Sequence, residues 1–240
     1  MRYYHRGVIV RAELGECTSG QVSGAAPTLI VPVGSTEQHG PHLPLDTDTR
    51  IAVALAHRVG ADLGHLTAPA IAYGASGEHQ GFPGTVSIGT AALTAVLVEY
   101  GRSACEWASR LAFVNGHGGN TEALRTAVRL LRTEGRDAVW TSASTDGGDA
   151  HAGHTETSLL LHLSPHLVLV ERFVAGNVEP LSELMARMRR GGVAAVSASG
   201  VLGDPGTATA AAGEQLFTRM VADCAASILR WAPDDVGMLI

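Results

Sequence analysis

Short apolar runs alternate along the chain with longer segments whose apolar positions recur every three or four residues. Residues 28–33 (TLIVPV), 66–73, 111–114 (LAFV) and 137–142 read as strands, and the first and third are unbroken enough to be buried. Between them, Ile51, Leu55 and Val59 recur on one helical face after Thr47, a capping-type residue. Leu93, Val96, Leu97, Tyr100, Ala104 and Trp107 mark a longer helix, and Leu124, Val128 and Leu131 another that Asn120 is expected to cap. A last helix, starting near Thr207, buries Leu216, Met220, Cys224, Ile228 and Trp231. Alternation of this kind predicts an α/β protein with a mainly parallel sheet covered on both faces. Residues 15–26, rich in Gly and Ser, read as a loop, and no repeat or linker divides the 240 residues, which are expected to form one domain over 1–240. In such sheets ligands bind beyond the carboxyl ends of the strands. The polar residues of this chain gather there.

Composition narrows the partners. A net charge of -6 provides no electrostatic footprint for nucleic acid or an anionic membrane, so a small-molecule or peptide substrate fits better. Cys17, Cys105 and Cys224 lie far apart and make no metal or redox pair, which suits a reducing cytosol. The opening residues 1–6 lack the apolar run of a signal peptide, and no stretch is long and apolar enough to span a bilayer. A cytoplasmic protein is expected.

Three segments carry chemistry. The run from Gly34 to Asp48, directly after the first strand, crowds Glu37, His39, His42, Asp46 and Asp48 into a Gly/Pro-rich loop. Glu37 and His39 are expected to point to opposite sides and so to serve two neighbouring metals, with Asp48 reaching back from the next helix to bridge them. Asp46 and Asp48 would equally suit a plain helix start. The second segment, Asn115 to Asn120, sets His117 among glycines between a strand and a helix, a place where backbone can approach a ligand closely. A phosphate loop is excluded, because neither G-x-G-x-x-G nor a P-loop lysine is present. The third, His151 to Ser158, opens a helix; Glu156 could complete a metal shell, and His154 could handle protons. His162, His166, His5, His57 and His65 read as structural or solvent-exposed. A fourth stretch, Tyr73 to Thr85, has the composition of a pocket rim, and its His79 either contacts substrate or holds the loop.

Taken together and in this order, these segments resemble the creatininase family. The run G-S-T-E-Q-H-G-P-H-L-P-L-D-T-D at 34–48 is the most specific part, supported by F-P-G-T at 82–85, N-G-H-G-G-N at 115–120, H-A-G-x-x-E-T-S at 151–158 and G-V-x-G-D-P at 200–205. The resemblance covers the chain from about Val31 to the last helix. It implies a three-layer αβα sandwich, a homo-oligomer such as a hexamer, and two divalent ions per subunit. Glu37, Asp48 and His117 then look like ligands of one ion, and His39 and Asp48 of the other. In creatininase proper the second motif continues with a Tyr-Glu whose Glu is a ligand. Gly119 stands at that position here, Glu156 is the best replacement, and creatinine itself is in doubt as the substrate. Within the family the chain looks most like the branch of mycofactocin-system peptidases. That branch removes a modified C-terminal Val-Tyr dipeptide from a short ribosomal precursor peptide.

His and carboxylate ligands suit Zn²⁺, Fe²⁺ or Mn²⁺ better than Ca²⁺ or Mg²⁺. Such an enzyme is expected to cleave an amide bond, with backbone N–H groups of Gly118 and Gly119 facing the developing oxyanion and His154 protonating the leaving amine. No G-x-S-x-G nucleophile elbow is present. The rival readings are a small-molecule amidohydrolase, opening a cyclic amide or a formamide, and a non-catalytic metal-binding oligomer.

Overall fold

The computed structural model describes residues 13–144 and 147–240; the opening residues, with His5, lie outside them. Its strands are β1 (Thr28–Val33), β2 (Leu66–Thr67), β3 (Arg110–Asn115) and β4 (Ala138–Ser142), all parallel, in the order β2-β1-β3-β4. β1 and β3 pair residue for residue from Thr28↔Arg110 to Val33↔Asn115, so their carboxyl ends lie side by side. The loops leaving those ends hold the first two motifs.

The strand expected over 66–73 is the main departure. Its backbone still follows β1, with Ala68 N donating to Ile30 O at 2.8 Å and Ile71 N to Pro32 O at 2.9 Å. Pro69 between them has no N–H to give, so the regular ladder stops at Thr67. Both outer sides of the sheet are covered: Glu13 bridges Thr67, and on β4 the C-terminal tail lies against Trp140, whose N–H donates to Gly237 O at 2.9 Å.

Helices α1 (Ser19–Val22), α2 (Thr47–Leu63), α3 (Gly89–Ala104), α4 (Thr121–Thr133), α5 (His154–Leu163), α6 (Leu181–Gly191) and α7 (Ala210–Arg230) complete the fold. α1 occupies part of the segment read as a loop; Thr18 N–H donates to the Gln21 side chain at 2.8 Å, half of a capping box. α6 lies where no element was expected. Leu181, Leu184, Met185 and Met188 recur at helical spacing, but only Leu184 is fully buried, so α6 lies over an opening rather than in a core.

Side chains alternate along each strand and build two cores. Leu29, Val31, Val33, Leu111 and Phe113 face α3 and α4, whereas Ile30, Ala112, Val114 and Val139 face α2, α5 and α7. That makes three layers, with the sheet in the middle. α5 and α7 meet at Gly213, where a Cβ would run into the carbonyl of Ser158. No described helix is long and apolar enough to cross a membrane.

Candidate metal centre

The two adjacent strand ends and the first turns of α2 and α5 converge on one spot. The loop after β1 delivers Glu37 and His39, α2 delivers Asp48, the loop after β3 delivers His117, and α5 with the residues before it delivers His151 and Glu156. Asp48 Oδ1 stands 3.0 Å from His39 Nε2, while its Oδ2 stands 3.1 Å from His117 Nδ1 and accepts from Ser35 Oγ at 2.7 Å. Each oxygen of that carboxylate thus addresses a different imidazole. Glu37 Oε2 lies 3.2 Å from His117 Nε2, and its Oε1 lies 3.3 Å from His79 Nε2 and 3.7 Å from His151 Nδ1. Glu156 Oε2 lies 3.8 Å from His39 Nε2 and accepts from Ala152 N–H at 2.6 Å. Glu37 and His39 do not diverge, which corrects the expectation for them. On extended backbone, residues two apart share a side, and their ligand atoms converge with that of Asp48 within 4.8 Å.

Burial sets the electrostatics. It pushes Glu37 up to about 7, with the Asp48 charge adding to the effect. It does the same to Glu156, which rises to about 7 although His39 draws it down. Burial alone would lower His39, but the charge and hydrogen bond of Asp48, with Glu156 and Glu37, outweigh it and raise the imidazole to about 10. Asp48 shows the converse: burial would raise it, yet His39 and His117 hold it well below the usual carboxylate range. His151 is pushed well below its ordinary value by burial and by the neighbouring His39 and His79.

The donor set fits metal ions. Both Glu37 oxygens and His117 Nε2 are buried and make no hydrogen bond, although each has a partner nitrogen or oxygen nearby. Unmade bonds of this kind each cost about 1–3 kcal/mol. They are explained if the lone pairs point at a shared space rather than at one another. Among the described residues, three triads have ligand atoms within 4.8 Å: Glu37–His39–Asp48, His39–His151–Glu156 and Glu37–His79–His151.

Gln38 sorts these imidazoles by tautomer. Its Oε1 accepts from Gly40 N–H at 2.9 Å, which fixes the amide so that Nε2 faces His79 Nδ1 at 2.8 Å and Gly200 O at 3.1 Å. Those two acceptors take both amide hydrogens. His79 therefore carries its proton on Nε2, which lies 3.3 Å from Glu37 Oε1 without a hydrogen bond being made. His151 Nε2 instead donates to Gln38 O at 2.8 Å, which leaves its Nδ1 lone pair facing the cluster. A second ring bond that fixes the free nitrogen is what metal-binding histidines ordinarily have.

A cavity of about 390 Å³ opens over the cluster, and Gly118 and Gly119 line it as expected of backbone close to a ligand. His154 does not share that cavity. Its Nδ1 bonds Thr207 Oγ1 at 2.8 Å, and it lines an adjoining space of about 780 Å³ that meets the first at Ala150, Leu181 and Leu202. The imidazole that the third motif brings to the cluster is His151. Sequence reasoning passed over it because the turn that aims it inward needs Ala152 at φ 52°, a left-handed conformation rare for alanine. Glu78 was passed over too; it sits beside His79 with Oε1 3.4 Å from His117 Nε2. His42, despite its place in the first motif, faces α5: its Nε2 meets Thr157 Oγ1 at 2.9 Å and its ring meets the edge of Phe173. Asn120 does not cap α4 through its side chain. Its amide ties Ala75 N, Gly34 O and Asn115 together, bracing the two strand-end loops.

Comparison with known proteins agrees with this geometry. A family model described as creatinine amidohydrolase matches residues 15–228. A mycofactocin precursor peptide peptidase of Mycolicibacterium smegmatis is 63% identical over 242 residues, covering 98% of either chain. Among solved structures, a creatininase with Mn superposes with a TM-score of 0.76 at 29% identity, over 93% of this chain and 99% of its own. A mutant creatininase of the Zn-Zn type gives the same TM-score, 0.76, at 29% identity over 93% and 99% of the two chains. A match that spans the sheet, both helical layers and every segment of the cluster leaves one assignment: the chain belongs to the creatininase family.

Proposed function

We propose that this protein is a dinuclear metal-dependent peptidase that releases the modified C-terminal Val-Tyr dipeptide of a mycofactocin precursor peptide. The observation that carries the reading is the shape of the cavity over the cluster. One side holds the carboxylates and imidazoles, and the other is the apolar face of α6, with Leu181, Met185 and Met188, and one cation, Arg189. A short peptide end has matching parts: apolar side chains for the wall, a terminal carboxylate for the guanidinium, and an amide directed at the cluster. A relative 63% identical bears the name of a peptidase for that precursor.

In this reading Glu37, Asp48 and His117 would hold one ion, and His39, Asp48 and Glu156 the other, with Asp48 serving both. Zn²⁺, Fe²⁺ and Mn²⁺ all suit such donors. Bound divalent ions would polarise the scissile carbonyl and make water a stronger nucleophile near neutral pH. The protein's own groups do the rest. His151, neutral and with Nδ1 open to the cavity, takes the proton of the attacking water and returns it to the departing amine. His79, with Nε2 3.3 Å from Glu37 Oε1, keeps a polar neighbour beside that carboxylate. Backbone N–H groups of Gly118 and Gly119 face the oxygen that becomes negative. His154, in the adjoining space, is placed to contact the remainder of the peptide.

Mass spectrometry of a precursor peptide ending in Val-Tyr, incubated with metal-loaded protein, tests the proposal. The expected result is a shortened peptide and a free dipeptide. An intact peptide, with creatinine or a formamide hydrolysed instead, would transfer the site to small-molecule amides.

We also infer a homo-oligomer, hexameric or similar. Leu169, Val170, Val174, Val178 and Leu181 are exposed along one short segment, with Val178 at 72%. An apolar run of this kind is typical of a subunit contact. Light scattering is expected to give a multiple of 24.8 kDa; a lone 24.8 kDa species at micromolar concentration would rule the contact out.

A further inference from the structure

We propose that Glu78 is a further metal-facing carboxylate, serving the ion that Glu37 and His117 hold. The inference rests on the dinuclear reading above and adds to it a residue from the pocket rim.

Three observations meet at this side chain. The first is spacing. His117 Nε2 has Glu37 Oε2 at 3.2 Å and Glu78 Oε1 at 3.4 Å. Donors bound to one ion at about 2.0–2.2 Å and at tetrahedral angles stand about 3.3–3.6 Å apart. Glu78 Oε1 therefore stands from His117 Nε2 at the separation of two donors on one ion. The second is the state of His117 Nε2, a buried nitrogen that makes no hydrogen bond although both carboxylates are beside it. A hydrogen-bonded cluster would have turned one of them onto that nitrogen. Here the contacts have the spacing of neighbours around a centre and lack the direction of donor and acceptor.

The third is the space made for Glu78. A Cβ on Gly119 would come within 2.7 Å of Glu78 Oε1 and would run into His117 Nε2 as well. Glycine at 119 is what allows the carboxylate to reach His117. On the far side, a Cβ on Gly192 would stand 2.6 Å from the Glu78 carbonyl oxygen, so the turn after α6 closes against its backbone. Glu78 itself lies in the short turn Gly77–His79, next to the histidine whose Nε2 lies 3.3 Å from Glu37. Its side chain is 30% exposed and lines the cavity over the cluster.

Zinc binding separates this proposal from the dinuclear reading. Purified protein is stripped with a chelator and dialysed against a series of free Zn²⁺ concentrations, and bound zinc per chain is measured by elemental analysis. The unaltered protein is expected to take up two ions, and Asp48→Ala neither. Glu78→Gln is expected to keep one ion at full affinity and bind the other at least about tenfold more weakly, as loss of a supporting group at a metal site does. Glu78→Asp keeps the charge and shortens the reach, so it should weaken the same ion. Both variants binding two ions as the unaltered protein does would overturn the proposal while leaving the dinuclear site intact. Weakening in Glu78→Gln alone would also overturn it, because charge at a distance would then suffice. Failure of the unaltered protein to bind two ions would remove the dinuclear reading, and this proposal with it.

Discussion

Asp48→Ala is expected to emerge from purification with neither ion and with turnover lowered by at least about a thousandfold, roughly 4 kcal/mol of barrier. The size follows from geometry. Asp48 is 2% exposed, and its two oxygens face two different imidazoles at 3.0 and 3.1 Å. In the dinuclear reading Asp48 is the one carboxylate that would serve both ions, so its loss would open both shells at once. Ser35 donates to the same carboxylate, and that bond fixes its rotamer without offering an anionic replacement. Asp48→Asn, which keeps the shape and one acceptor oxygen, should retain one ion weakly and so fall between. Elemental analysis that finds two ions per chain in the alanine variant would remove Asp48 from the site.

A large effect on stability is expected at Gly213. Helix propensity alone says that Gly213→Ala should help by about 1 kcal/mol, since α7 continues on either side of it. Sterics argue the reverse and win. The added Cβ would overlap the Ser158 carbonyl oxygen and stand 2.5 Å from its carbon and 3.0 Å from His162 Cβ, and two of those three atoms are backbone that cannot rotate away. Overpacking of this kind costs about 1–3 kcal/mol and more where nothing yields, so a net loss of about 2 kcal/mol remains. For a chain of this size that lowers Tm by about 4–8 °C. The displacement would also reach the site, because Ser158 lies two residues from Glu156 in α5. An unchanged or raised Tm would mean that α5 and α7 are further apart than described.

What could be read from the sequence was whatever depends on local pattern. The runs at 28–33 and 111–114 are apolar throughout because both of their faces are covered, and each became a central strand. The helices around Leu55, Leu97, Val128 and Met220 carry stripes wide enough to announce themselves. α6 has a comparable stripe, but it is interleaved with Glu183, Arg187 and Arg189, and the reason for it, a cavity to cover, is nonlocal. The site divides along the same line. Glu37, His39, Asp48, His117 and Glu156 stand in dense motifs and do come together. The choice between His151 and His154 turned on a single positive φ at Ala152, which no spacing rule reveals. Glu78 and His79 reach the cluster only because the loop after Ile71 folds back along β1, with Gly34 N–H donating to Ile71 O at 2.9 Å.

The brevity of β2 and the tail laid along β4 have a consequence for how copies of this chain can meet. A parallel sheet with an open margin offers a row of unpaired backbone groups on which a foreign strand can grow, the first step of many aggregates. Here one margin is two residues long, stopped by Pro69 and bridged by Glu13, and the other is taken up by Gly237 and Leu239. Among the described residues, neither side is left as a template. Any association between copies would then run through side chains on the helical layers and the segments between them.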